Sequence, residues 1–138
     1  MLEETNLFSI ESEVIPLKDN IHKVILGAMK NDKGSVSGEV ELDFKIISQF
    51  ESTMFSLIDK GITNIVFDMT YVETICSSGI WSLSQVYKKA NDQNGTIVLF
   101  NIRQYIKRLL ESIAMNKKIK CVDSEKEAIE LIQNIISK

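Results

Sequence analysis

The sequence predicts an α/β domain in which an N-terminal β-hairpin and then parallel strands form one mixed β-sheet, packed with about four α-helices. Two observations predict it. The runs "TNIVFDM" (63–69) and "TIVLF" (96–100) are short and continuously apolar, the pattern of interior strands. Apolar residues at steps of three and four stand before, between and after these runs, which is helical periodicity. Strands that alternate with helices are joined by crossover units, and such connections leave the strands parallel. The chain has 138 residues, no internal repeat, no low-complexity linker and one proline, Pro16, so it reads as a single domain over 1–138.

The elements follow in order. "LFSIESEVI" (7–15) places Phe8 and Ile10 on one side, and after the turn-like Asp19-Asn20 the Val- and Ile-rich "IHKVILGAMK" (21–30) is the better strand. The two are expected to pair as a hairpin. "NDKG" (31–34) is a turn signal, and "SVSGEVEL" (35–42) is a further short strand or an extended loop. From 43 to 60 the apolar positions Phe44, Ile47, Phe50, Met54, Leu57 and Ile58 form one helical stripe. Asp43 can cap its start and Gly61 can end it with positive φ. A second stripe runs over 78–90 through Ile80, Leu83, Val86 or Tyr87, and Ala90, and "NDQNG" (91–95) breaks it. "RQYIKRLLESIAM" (103–115) is a third, with Ile106, Leu109, Leu110 and Ile113 inward. "IKCV" (119–122) is short and β-prone. Ser124 to Glu127 reads as a capping box, opening a last helix with Ile129, Ile132 and Ile136 among its apolar positions.

Composition excludes several function classes. A net charge of −3 argues against a nucleic-acid partner, which would usually meet a basic face. No apolar run approaches the roughly 18 residues needed to enter a bilayer as a spanning helix, so no membrane insertion is expected. The acidic N-terminus has no leader pattern, and two cysteines, Cys76 and Cys121, suit a reducing cytoplasm. Catalytic signatures are missing. His22 is the only histidine, the G-x-S-x-G elbow is absent, and Cys76 is followed six residues later by Ser82, where a cysteine phosphatase needs arginine. No His or Cys cluster marks a metal site. In "GAMKNDKGS" (27–35) Lys33 precedes Gly34, the reverse of a phosphate-binding loop. A binding module without catalysis, metal or cofactor is the expectation.

One stretch stands out: "TICSSGIWSL" (74–83) packs Cys76, Ser77, Ser78 and Gly79 into a helix start. Either serine could cap that helix, whose free N–H groups and positive end favour an anion. A helix start can also lower the pKa of a thiol, which would make Cys76 reactive, although free cysteines are more often inert. Trp81 has two readings, packing under the helix or an aromatic anchor in a partner interface.

The segment 65–83, "IVFDMTYVETICSSGIWSL", resembles the STAS domain of anti-sigma-factor antagonists and sulfate transporters. That family shows an apolar strand ending in Asp, a loop with an apolar anchor, then I-D-S-S-G-L and an apolar helix. Asp68, Val72, Ile75, Ser77-Ser78-Gly79 and Ile80 match in turn; Cys76 replaces the acid, and Trp81 stands where a small residue is common. "FSIESEV", the helix at 43–60, "GTIVLFNI" and "CVDSEKEAIELI" resemble the family's other elements, with a few extra residues around 28–40. The resemblance implies an α/β STAS-type fold. It also implies a role in partner switching, with a serine kinase that doubles as anti-sigma factor and a cognate phosphatase as partners. Ser77 would be the phosphorylated residue, and Cys76, Ser77, Ser78, Gly79, Ile80 and Trp81 the partner-binding surface. The alternative it implies is an accessory subunit of a transporter or stress-sensing complex that binds without phosphorylation.

Overall fold

The structure, a computed structural model, describes residues 11–16, 20–29, 36–38, 40–42 and 47–136. β1 (Glu11–Pro16) and β2 (Ile21–Met29) form the expected antiparallel hairpin, with Val14 opposite Val24 and Asn20 at a φ of 61° in the turn. Asparagine tolerates this left-handed conformation better than most residues. β2 then pairs parallel with β5 (Asn64–Asp68), β5 with β7 (Thr96–Phe100), and β7 with β8 (Lys120–Val122). The strand order is β1-β2-β5-β7-β8, with β3 (Val36–Gly38) pairing onto the far end of β2.

Alternation along the strands decides what each face buries. Ile65, Phe67, Ile97 and Leu99 point to one side, where α1 (Ile47–Asp59), α2 (Ser77–Asp92) and α3 (Gln104–Ser112) cover them. Those helices contribute Phe50, Met54 and Ile58, then Leu83, Val86 and Ala90, then Ile106 and Leu110, all buried. Val66, Val98 and Phe100 point to the other side and meet Ala128 and Ile132 of α4 (Glu125–Ile136). Burial on both faces is why these strands read as unbroken apolar runs. Lys23 on β2 ties down the start of α4 through an ion pair with Glu125 at 2.8 Å.

Local signals mostly act as their chemistry requires. Gly61, at a φ of 99°, ends α1: its N–H bonds the Ile58 carbonyl, and the Ile62 N–H bonds that of Leu57. Ser124 accepts the Glu127 N–H at 3.2 Å and opens α4. Phe8, Ile10, the turn at 31–34, Asp43 and Phe44 lie outside the described residues. Three expectations change. A strand, β6 (Val72–Ile75), occupies what the sequence offers as a loop. It pairs parallel with β4 (Val40–Leu42), so part of the extra segment around 28–40 leads into this small second sheet. The third helix stops at Ser112, not 115: Ala114 turns left-handed at a φ of 62°, and Ile113 is half-exposed instead of inward. Ile136 is exposed as well.

Candidate partner-binding site at the start of the second helix

β5 delivers the chain to the site and a short relay turns it. Beyond the strand end, the Asp68 carboxylate accepts the Thr70 N–H at 3.0 Å and the Thr70 hydroxyl. Asn101, just past β7, donates from its amide nitrogen to the Thr70 oxygen at 3.2 Å. The Val72 N–H reaches the Met69 carbonyl at 3.1 Å, and Arg103 Nε donates to the Val72 carbonyl at 3.2 Å. β6 is thus held by β4 on one edge and by the guanidinium of Arg103 at its first residue. Asp68 therefore shapes a turn, and the last paired residue of β6, Ile75, fixes where the helix can begin.

That register moves the serines. Cys76 is the N-cap, extended at φ −97° and ψ 176°, and its carbonyl accepts the Ile80 N–H at 3.0 Å. Its side chain makes no capping bond. Ser77 and Ser78 were expected as caps; instead they are the first two helical residues, because the strand ends one residue earlier than a serine cap requires. Both serines are exposed, and Cys76 is half-buried. The first turn carries no acidic residue. Gly79 and Ile80 are buried and hold the helix against the core, so the surface of this stretch is made by Ser77, Ser78 and Trp81. Trp81 is 64% exposed, which removes the reading of it as packing under the helix. Ser77 and Trp81 are four residues apart and Ser78 and Trp81 three, so all three share one helix face.

The sequence does not single out Ser82, which is buried on α2 with no hydrogen-bond partner for its hydroxyl among the described residues. A buried unpaired hydroxyl is destabilising. Ser82→Ala is expected to raise stability by about 1 kcal/mol, including the better helix propensity of alanine. A thermal melt with unchanged or lower Tm would show that the hydroxyl has a partner. Elsewhere, His22 lies on β2 with its Nδ1 buried and unpartnered among the described residues. Burial pushes the Cys121 thiol up; Lys107 opposes this and Glu111 adds to it. Burial thus favours the neutral thiol over the thiolate at this cysteine.

Residues 35–128, well over half the chain, match the profile of the STAS domain. The chain belongs to the STAS domain family. No curated protein matches it. Among solved structures, this STAS domain is similar to a Thermotoga maritima protein assigned as an anti-sigma factor antagonist, with 21% identity and a TM-score of 0.70 over 90% of this chain and 94% of that one. It is similar to the Bacillus cell fate determinant SpoIIAA in its phosphorylated form, with 15% identity and a TM-score of 0.61 over 88% and 99% of the two chains. It is also similar to a sulfate transporter family protein from Wolinella succinogenes, with 12% identity and a TM-score of 0.65 over 91% and 93%. At such identities the likeness establishes the shared fold. Among the described residues, no helix is long and apolar enough to cross a membrane.

Proposed function

We propose that this STAS domain is an anti-sigma-factor-antagonist-like module of a partner-switching pathway, a cytoplasmic binding protein with no catalysis of its own. Its unmodified form binds a serine kinase that doubles as anti-sigma factor and so releases the sigma factor. Phosphorylation of Ser77 ends that binding, and a cognate phosphatase restores it. The observation that carries this reading is the placement of Ser77, whose side chain is exposed in the first turn of α2 beside an exposed tryptophan. A phosphate there adds about −1.5 to −2 charges next to helix N–H groups that favour an anion, so it changes the docking surface without refolding the domain. Similarity to a protein solved in a phosphorylated form supports the same reading.

The test is incubation with a candidate serine kinase of the anti-sigma-factor type and ATP, followed by peptide mass spectrometry. Phosphate is expected on Ser77 and is expected to vanish in Ser77→Ala, while Ser77→Asp should bind the kinase at least tenfold more weakly than wild type. Phosphate that persists in Ser77→Ala would reassign the acceptor. Cys76 supports a second reading. It removes the carboxylate that the family carries beside the acceptor serine, and with it a charge for a kinase to recognise. In that reading the same face binds its partner constitutively, as an accessory subunit of a transporter or stress-sensing assembly, and similarity to a sulfate transporter family protein supports it. A complex that forms equally well with wild type and Ser77→Asp is the result that favours it.

A further inference from the structure

A crevice of about 650 Å³ lies at the amino ends of β5 and β7, where α2 and α4 finish. Small-molecule sites usually measure about 300–1,000 Å³. Its floor is preformed. The Thr96 N–H bonds the Thr63 carbonyl at 3.0 Å, and the Gly95 N–H bonds that of Ala90 at 2.8 Å, which fixes the turn between α2 and β7. Tyr87 lines the crevice with its side chain packed against the core, so it is a fixed wall. The lining is uncharged among the described residues. Asn64, Asn91 and Asn94 contribute three primary amides, and Thr96 a hydroxyl. Charged residues on the neighbouring stretch of α2 are paired with other groups, Lys88 with Asp92 at 3.3 Å and Lys89 with Asp59 at 3.0 Å.

We propose that this crevice binds an uncharged pyranose sugar, free or at the end of a short oligosaccharide. Three features carry the inference. A lining without charge offers an ion nothing to offset the water it gives up, so the ligand is neutral. Each amide is both a donor and an acceptor, as each sugar hydroxyl is. The three amides have no hydrogen-bond partner among the described residues, so their bonding capacity is open to a ligand. They come from the start of β5, the last turn of α2 and the turn before β7, which distributes polar groups around the rim. Apolar surface comes from one element only: Ile135 and Ile136 of α4, both exposed. A pyranose ring matches that arrangement, because its hydroxyls radiate from the rim and its C–H groups make an apolar face. A flat heteroaromatic ring would instead need apolar walls on both faces and polar contacts along one edge. The crevice opens at the opposite end of β5 from the start of α2, so the inference stands whether or not Ser77 is modified.

The experiment is an amide chemical-shift titration of the labelled full chain with glucose and galactose, each beside its 6-phosphate, at constant ionic strength. At least one of the two sugars is expected to give saturable shifts at Asn64, Asn91, Asn94 and Thr96, with a Kd of about 1 mM. The side-chain amides of the three asparagines should shift with them. The 6-phosphate of that sugar should bind about tenfold more weakly, because it brings charge to an uncharged lining. Asn91→Ala should weaken the sugar about fivefold, the loss of a hydrogen bond or two, and Ile135→Ser should weaken it as well. Both positions are exposed, so neither change threatens the fold. Lys117→Gln, before β8, should leave binding unchanged. The proposal is overturned if neither sugar shifts these residues saturably, if the 6-phosphate binds as tightly as its parent, or if Asn91→Ala titrates like wild type. An Ile135→Ser variant that binds like wild type overturns the assignment of the apolar face. Shifts at these residues that follow protein concentration with no sugar present make the crevice a contact between copies of the chain, and also overturn the proposal.

Discussion

Gly95→Ala is expected to destabilise the protein by about 3 kcal/mol, a fall in Tm of roughly 10 °C. The cause is a collision. A Cβ on Gly95 would lie 2.6 Å from the Thr63 carbonyl carbon and overlap the oxygen. That backbone cannot step aside, because the Thr63 oxygen accepts the Thr96 N–H at 3.0 Å and begins the pairing of the two central strands. Gly61→Ala is the control: nothing lies within 4 Å of its added methyl, so only its positive φ opposes the change, and a loss of about 1 kcal/mol is expected. Thermal or denaturant unfolding of the two variants measures the difference. Equal losses would mean that the loop moves aside and that Gly95 is an ordinary turn residue.

Trp81→Ala is expected to do the opposite, weakening partner binding by about 2 kcal/mol or more, some 30-fold in Kd, with little change in Tm. The side chain is 64% exposed, so little packing is lost when it is removed. It shares its helix face with Ser77, so a partner that covers Ser77 covers the indole too. Trp81 is the only tryptophan, and its fluorescence therefore reports this face alone. Emission should shift to shorter wavelength when the kinase docks, and that shift should be absent once Ser77 carries phosphate. Calorimetry with wild type and variant gives the affinity ratio; equal affinities would place the interface elsewhere.

Much of the architecture is legible in the sequence because burial is written into it. β5 and β7 are covered on both faces, and nothing but an apolar run can occupy such positions. The stripes of α1 and α2 are equally direct, and Gly61 ends α1 as its type implies. β6 escaped notice because its identity is tertiary. Only Val72 and Ile75 are buried in four residues, and the partner strand β4 lies some thirty positions earlier in the chain. The end of α3 is obscured for another reason. The residue that takes the left-handed conformation is Ala114, where a glycine or asparagine would have announced the stop.

The site was legible in part. The motif locates the helix start within a residue, but serine is so common as an N-cap that Cys76 was not the expected occupant. The register of β6 decided it. Likewise "NDQNG" (91–95) marks the break after the second helix without showing which residue takes the turn's positive φ. Asn94 supplies it, at 66°, and Gly95 is needed for the close approach of a neighbouring strand.

The two faces of the sheet are unequally guarded. Among the described residues, three helices shelter one, while α4 shelters Val66, Val98 and Phe100 on the other through Ala128 and Ile132, with Ile129 and Leu131 packed beside them and one ion pair at its start. α4 is the one described helix on that face, whereas β5 and β7 are paired along both edges, so its amides are expected to exchange with solvent before theirs. Its departure would bare the apolar reverse of the central strands without disturbing β6 or the helix that carries Ser77. The domain can thus begin to come apart at its back while the face that would meet a partner keeps its shape.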